Sequence, residues 1–241
     1  MKVPKKVLDS VYGSVAADWT QHVNGGGWVY KTAKVDVSVY LDPTVRVSGN
    51  AQVSGNAQVY GDAWVFGNAR VFGNAWVSGN AWVFGDAWVF GNARVYGNAQ
   101  VYGNARVYGN AQVYGDARVY GDARVYGDAR VYGNARVYGD ARVYGNAQVY
   151  GNARVYGDAR VYGDAWVSSP LYIQGSKHAV TMCSRTELQI GCHRHDFAWW
   201  KANACRVGKI EGYTPAQVKE YLRIIFFAAR MARNLPPEPK P

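Results

Sequence analysis

The sequence predicts an all-β solenoid, and three observations lead there. Val recurs at every sixth position from Val47 to Val167, inside a word that reads V-Y-G-D/N-A-R, as in "ARVYGDARVYGDARVYGNAR" from Ala117 to Arg136. Six is even, so in an extended chain Val, Gly and Ala always share one parity, and Tyr, Asn/Asp and Arg the other. The inward set is then small and apolar and the outward set large and polar, whereas a helix of 3.6 residues per turn would smear both around its circumference. Finally, each Gly-Asn or Gly-Asp pair supplies a corner, because both positions tolerate backbone conformations that other residues avoid. A short strand A-R-V-Y followed by a corner, repeated, coils the chain into a polygon whose identical residues stack in ladders.

Residues 1–28 precede the repeat and are read as an N-terminal cap, since the open edge of a solenoid aggregates unless it is covered. A degenerate form of the word, through Val29, Val35 and Leu41, extends the repeat upstream, giving 23 hexads from Val29 to Trp166 and a repeat domain over 29–167. Residues 168–234 form a small α+β C-terminal module and the second cap. Its first half, "LYIQGSKHAVTMCSRTELQIGCHRHDFAWW", reads as short strands with a turn near Ser184 and Arg185. Its second half, "YTPAQVKEYLRIIFFAARMARN", reads as a helix: Thr214 caps it, Pro215 takes the first position and Gln217 completes a capping box. Val218, Leu222, Ile225 and Ala229 are its expected buried stripe. Residues 235–241, "LPPEPKP", are read as a disordered tail.

The spacing resembles the hexapeptide-repeat left-handed β-helix, in which an aliphatic residue leads, an Asn or Asp often holds the turn, and a small residue precedes the next aliphatic. The resemblance covers residues 29–167. It implies a left-handed parallel β-helix with three hexads per triangular coil. Twenty-three hexads then make about 7.7 coils, a prism roughly 37 Å long at about 4.8 Å per strand step.

Residues 18 apart stack on one face of such a prism. One face carries Arg106, Arg124, Arg142 and Arg160 beside Tyr108, Tyr126, Tyr144 and Tyr162. Guanidinium and phenol both offer flat surfaces to a base or nucleotide, so these eight are the candidate ligand-binding residues. A purely structural account stands against that reading: Tyr suits the outside of a sheet, and Asp122, Asp140 and Asp158, two residues before an Arg, offset the like-charge ladder. A second face opens with Trp64, Phe66, Trp82 and Phe84 before turning polar, a contiguous aromatic patch that points to an oligomer interface. The hexapeptide-repeat resemblance favours a trimer of parallel prisms; the alternative is that the N-terminal residues fold back over the patch, with Trp19 and Trp28 packing there. The third face mixes Gln112, Gln148, Arg94 and Arg130, with Trp76 and Trp166 towards its ends.

Many hexapeptide-repeat proteins are acyltransferases, and one branch is a zinc carbonic anhydrase, each with a working His on the coils or on an inserted loop. Between Val47 and Trp166 this chain has no His, Cys or Lys, and no loop breaks the count. The family's chemistry therefore has no residues to settle on, and a non-enzymatic protein without a cofactor is expected. The three cysteines lie near the C-terminus: Cys183, Cys192, His195 and Cys205 have a loose zinc-site spacing without a C-x2-C knuckle. Cys192 and His195, three residues apart, are a candidate nucleophile and base, and buried structural thiols are the plainer alternative. An odd cysteine count without an apolar leader suggests reduced thiols in a cytosol.

The flanks resemble proteins encoded by tailed bacteriophages and prophages. In those, an H-x-N-G-G-G-W segment precedes V-x-G-N-A repeats; here Trp19, His22, Asn24, Gly25, Gly26, Gly27 and Trp28 match. An I-G-C-x-x-H…W segment with a G-Y-T helix follows; here Ile190, Gly191, Cys192, His195, Trp199 and Gly212 to Thr214 match. The resemblance implies phage context and, in the host cytoplasm, a structural, host-interaction or sequestering role that blunts a defence protein or holds a nucleotide. The net charge of +10 sits mostly in 167–241, which carry eleven Lys/Arg against five Asp/Glu, so a protein partner of the C-terminal module is expected and polyanion binding is the lesser alternative. No stretch approaches a membrane span. A diverged acyltransferase or a Cys192-dependent enzyme is the rival class.

Overall fold

The computed structural model describes residues 3–163, 165–166 and 170–235. It is a parallel β-solenoid with three faces. Strands on one face pair at a spacing of 18 residues, as in Arg106↔Arg124 and Val107↔Val125. Three sheets of nine, eight and eight strands result, the ninth being the antiparallel addition Trp19–Gln21. Most strands are only two residues long, for example Arg118–Val119, shorter than the four residues the word suggests. The inter-coil ladder nevertheless runs past the strands: Arg106 N donates to Ala123 O (2.9 Å), Tyr108 N to Val125 O (3.0 Å) and Asn110 N to Gly127 O (2.8 Å). Even the corners are thus hydrogen-bonded from coil to coil.

The parity argument holds for Val and Ala, which are fully buried from coil to coil; each buried Val contributes roughly 1.5–3 kcal/mol. Gly shares their parity yet stays out of the core. The chain turns there with positive φ, for instance +71° at Gly121, and a Cβ on that residue would sit 3.0 Å from Gly139 N. The outward rows form their own ladders. Asn56, Asn74, Asn92 and Asn110 pass side-chain hydrogen bonds upward to Asp128. Phe66, Phe84, Tyr102, Tyr120, Tyr138 and Tyr156 stack in one column at 4.7–5.6 Å. The last coil slips: Ala165 pairs with Gln148 and Trp166 with Val149, one residue out of register with the hexads before them. The side chain of Trp166, and Val167 as a whole, lie outside the described residues, as do 236–241 of the expected tail.

Helix α1 (Lys5–Leu8) and the strand Trp19–Gln21 begin the chain, with Val3, Val7, Trp19 and Trp28 as their own small core. The glycine run between them and the coils has a geometric reason. Gly27 N donates to Leu41 O (3.0 Å), Leu41 N donates to Asn24 O (3.0 Å), and a Cβ on Gly27 would strike the Leu41 side chain at 2.5 Å. His22 pins the same turn through contacts to Asn24 O (3.2 Å) and Asp36 O (3.1 Å). The segment is a backbone plug on the first coil.

The C-terminal module is a four-stranded antiparallel sheet (172–174, 179–182, 187–190, 193–196) followed by α2 (Phe197–Ile210) and α3 (Pro215–Arg233). It docks on the last coils, where Tyr162 N donates to Cys183 O (2.8 Å) and Arg194 lies over the Tyr162 ring at 4.2 Å. The capping box of α3 forms as the sequence suggests. Its buried stripe is Tyr221, Ile225, Ala228 and Ala229, with Val218 and Leu222 only half-buried. Helix α2 is the element the sequence reading lacked; its signal was Asp196, whose carboxylate accepts from Trp199 N (2.7 Å) as an N-cap. No helix among the described residues is long and apolar enough to cross a membrane.

Candidate ligand-binding site in the C-terminal module

Between the antiparallel sheet and the two helices lies a cavity of about 210 Å³. Ile190, Trp200, Val207, Val218 and Ile225 give it an apolar wall. Trp200 is held by its indole N–H, which donates to Leu188 O (2.7 Å). Tyr221 is held at the hydroxyl, which donates to His178 O (2.7 Å) and accepts from Lys177 N (3.0 Å). These bonds fix the wall and leave the polar groups of the mouth to face a guest.

His178, Cys192, His193, Glu211 and Tyr213 form that mouth. The His178 ring lies against Gly191, where a Cβ would come within 3.2 Å of its Cγ. Cys192 is exposed in the adjoining turn. His193 Nε2 meets Glu211 Oε1 at 3.0 Å, and this bond holds the Glu211 carboxyl below the usual carboxylate range. Burial, and then the neighbouring Tyr221, push the Tyr213 phenol well up, so it remains a neutral donor. An apolar slot with a few convergent polar groups is the usual form of a small-ligand site.

The residues proposed from sequence fall elsewhere or apart. His195 stacks on Trp199 at 3.4 Å and does not line the cavity; His193, two residues earlier, is the histidine beside Cys192 at its mouth. Cys183 is buried in the sheet that meets the last coil, and burial pushes its thiol up to about 11. Cys205 is exposed on α2. Among the described residues no three His, Cys, Asp or Glu side chains gather as metal ligands, so Cys183, Cys192, His195 and Cys205 are not brought together. Sequence spacing misses the mouth because Glu211 and Tyr213 join it only through the loop between α2 and α3.

On the prism, Arg106, Arg124, Arg142 and Arg160 do stack in register beside Tyr108, Tyr126, Tyr144 and Tyr162, with rings 5.0–5.2 Å apart. Burial is the leading cause of the raised Tyr126 phenol. Lower on the face Trp88 lies between two guanidinium groups, Arg70 at 5.0 Å and Arg106 at 5.1 Å. On the aromatic face Trp64, Phe66, Trp82 and Phe84 pack on one another at 4.2–6.5 Å. Arg46 covers Trp64 at 4.8 Å, and α1 reaches this face through Lys6 to Asp62 (2.7 Å). Trp82 stays 38% exposed. The N-terminal residues therefore cover Trp28 and Arg46, two coils and one coil below Trp64, and leave Trp82 open.

Sheets of stacked two-residue strands around a Val and Ala core define a repeat β-helix protein. Residues 51–79 and 99–169 match, in overlapping segments, the family described as the YdcK beta solenoid repeat. No curated protein matches the chain.

Proposed function

We propose that the protein is a non-enzymatic, phage-type binding protein in which the solenoid is a rigid spacer and the C-terminal module holds the ligand. The observation that carries this reading is the apolar cavity with its polar mouth, in the segment that also bears most of the excess charge. The partner is a host or phage protein, met in the host cytoplasm, with sequestration of a defence component as the outcome. The repeat itself has no His, Cys or Lys between Val47 and Trp166 to carry acid, base or nucleophilic chemistry. Three copies associate through the aromatic part of one prism face.

A second reading, a Cys192-dependent enzyme, draws on one observation: an exposed thiol beside the His193–Glu211 pair and His178. The test is mass spectrometry of proteins and small molecules that co-purify with the full chain and with a Val207→Trp variant, whose larger side chain fills the cavity. Loss of a specific companion from the variant supports the binding reading. Retention of every companion overturns it, and a covalent adduct on Cys192 favours the enzyme.

A further inference from the structure

Helix α3 has an unpartnered side. Its inner stripe of Tyr221, Ile225, Ala228 and Ala229 is buried on the core of the module. At about 100° per residue, the side turned away from the core carries two kinds of residue. Ile224, Phe227 and Met231 recur at i, i+3 and i+7, the a and d spacing of a helix-pairing seam. Phe227 is 49% and Met231 38% exposed, and Ile224 is half-buried. Arg223 and Arg230 run beside them at the g positions and are exposed. Tyr221 and Ala228, at the e positions, are buried, so the seam has one free flank and that flank is basic.

The charges on that flank are not answered within the chain. Among the described residues, the side chains of Arg223 and Arg230 take part in no ion pair and no hydrogen bond. The one carboxylate of α3, on Glu220, accepts from Ser176 N (2.8 Å). Lys219 and Arg233 are further exposed cations of the same helix. A solvated helix commonly carries bare arginines, and a single exposed ring needs no explanation. Here three apolar residues in pairing register and two unmatched guanidinium groups lie side by side, where a second helix would meet both at once.

We propose that this seam docks an amphipathic helix of a protein partner, its apolar residues on Ile224, Phe227 and Met231 and a row of Glu or Asp against Arg223 and Arg230. The assignment rests on the reading of the C-terminal module as the binding unit and adds where a protein partner sits; none of the five residues lines the cavity. Charge selects the occupant. A second copy offers no carboxylate at this seam, because α3 has Arg at g and Tyr221, Ala228 and Leu235 at e. A bilayer suits the face less well. In helical projection Arg223 and Arg230 lie between Phe226 and Phe227, so sinking both rings buries both guanidinium groups. Phe226 itself points away from the seam, with Lys201 over its ring at 5.6 Å.

Fluorescence anisotropy of labelled synthetic peptides titrated with the full chain tests the assignment. The probe is a three-heptad helix with Leu at a and d and Glu at e and g; matched peptides carry Lys at e and g, or Ser at a and d. The Glu peptide binds at micromolar concentration and the two matched peptides do not. Phe227→Ser weakens that binding roughly tenfold or more, whereas Phe226→Ser, a comparably exposed ring off the seam, leaves it unchanged. Arg223→Glu combined with Arg230→Glu loses the Glu peptide and gains the Lys peptide, a reversal that misfolding does not produce. The proposal is overturned if the Glu peptide fails to bind, if the Lys peptide binds the native chain as tightly, or if the two Phe variants behave alike. Vesicles of phosphatidylserine and phosphatidylcholine that bind the chain when the Glu peptide does not assign the face to lipid and overturn it as well. Failure of the Glu peptide while Val207→Trp still loses a co-purifying companion rejects the seam and keeps the binding role of the module; failure of both rejects both.

Discussion

The three cysteines show how far a shared stretch of sequence is from a shared environment. Cys183 is wholly buried and its thiol is pushed up to about 11, so at neutral pH it carries no thiolate. Cys192 and Cys205 are exposed. Iodoacetamide at pH 8 is therefore expected to alkylate two thiols in the native protein and three after denaturation, with Cys183 the protected one by peptide mass spectrometry. Alkylation of Cys183 at the rate of Cys205 refutes this. The sequence pattern from Cys183 to Cys205 looked like a loose ligand set because spacing alone was visible. A strand, a turn and a helix send the residues in different directions, and helix α2 was not read from the sequence. Asp196 was the available clue, and it is a weak one beside the aromatic run that follows.

At the scale of the element, the coil was almost fully legible, since a six-residue word fixes parity and parity fixes the core. What parity could not give was the place of glycine. Gly121 sits at a corner with φ near +71°, and an added methyl group meets Gly139 N at 3.0 Å. Gly121→Ala combines a conformation that L-residues avoid with a backbone contact, and is expected to lower stability by about 1–3 kcal/mol; a thermal melt unchanged within error contradicts it. The module behaves differently because its links are partly ionic. Glu211 bonds His193, and Glu220 accepts from Ser176 N (2.8 Å); both carboxyls are held below their ordinary value by these bonds. A depressed carboxyl contributes stability above its unfolded value, about 4.3, and that contribution is lost as pH falls through the folded value. The fluorescence of Trp200, a buried residue of α2, is accordingly expected to change on acidification below about pH 4.3 before the far-ultraviolet signal of the coils does. Coincident transitions would show that these bonds do not set the acid limit of the module.

For the whole molecule the open question is what covers Trp82, and the answer decides whether the prism works alone. Trp64 has found partners inside its own chain: its indole N–H donates to Ser48 Oγ (3.0 Å) and Arg46 lies on its ring. Trp82, one coil on, is 38% exposed, with Trp64, Phe66 and Phe84 packed around it and Gln100 next in the column. The N-terminal cap stops short of it. Large aromatics bury roughly 150–250 Å² each, and a stable interface needs upward of about 1,000 Å². The four aromatics can therefore supply the centre of a contact between prisms but not the whole, and in the proposed assembly the polar remainder of the same face would supply the rim. The proposed trimer of parallel prisms would meet this demand with one repeated interface closed by symmetry. Trp76, 41% exposed but on a different face, provides the internal control. Light scattering at micromolar concentration is expected to give three times the chain mass for the native protein and for Trp76→Ser, and a smaller species for Trp64→Ser combined with Trp82→Ser. A native mass equal to one chain, unmoved by the double substitution, eliminates the assembly and leaves Trp82 as a partly exposed ring among the aromatics of its own face.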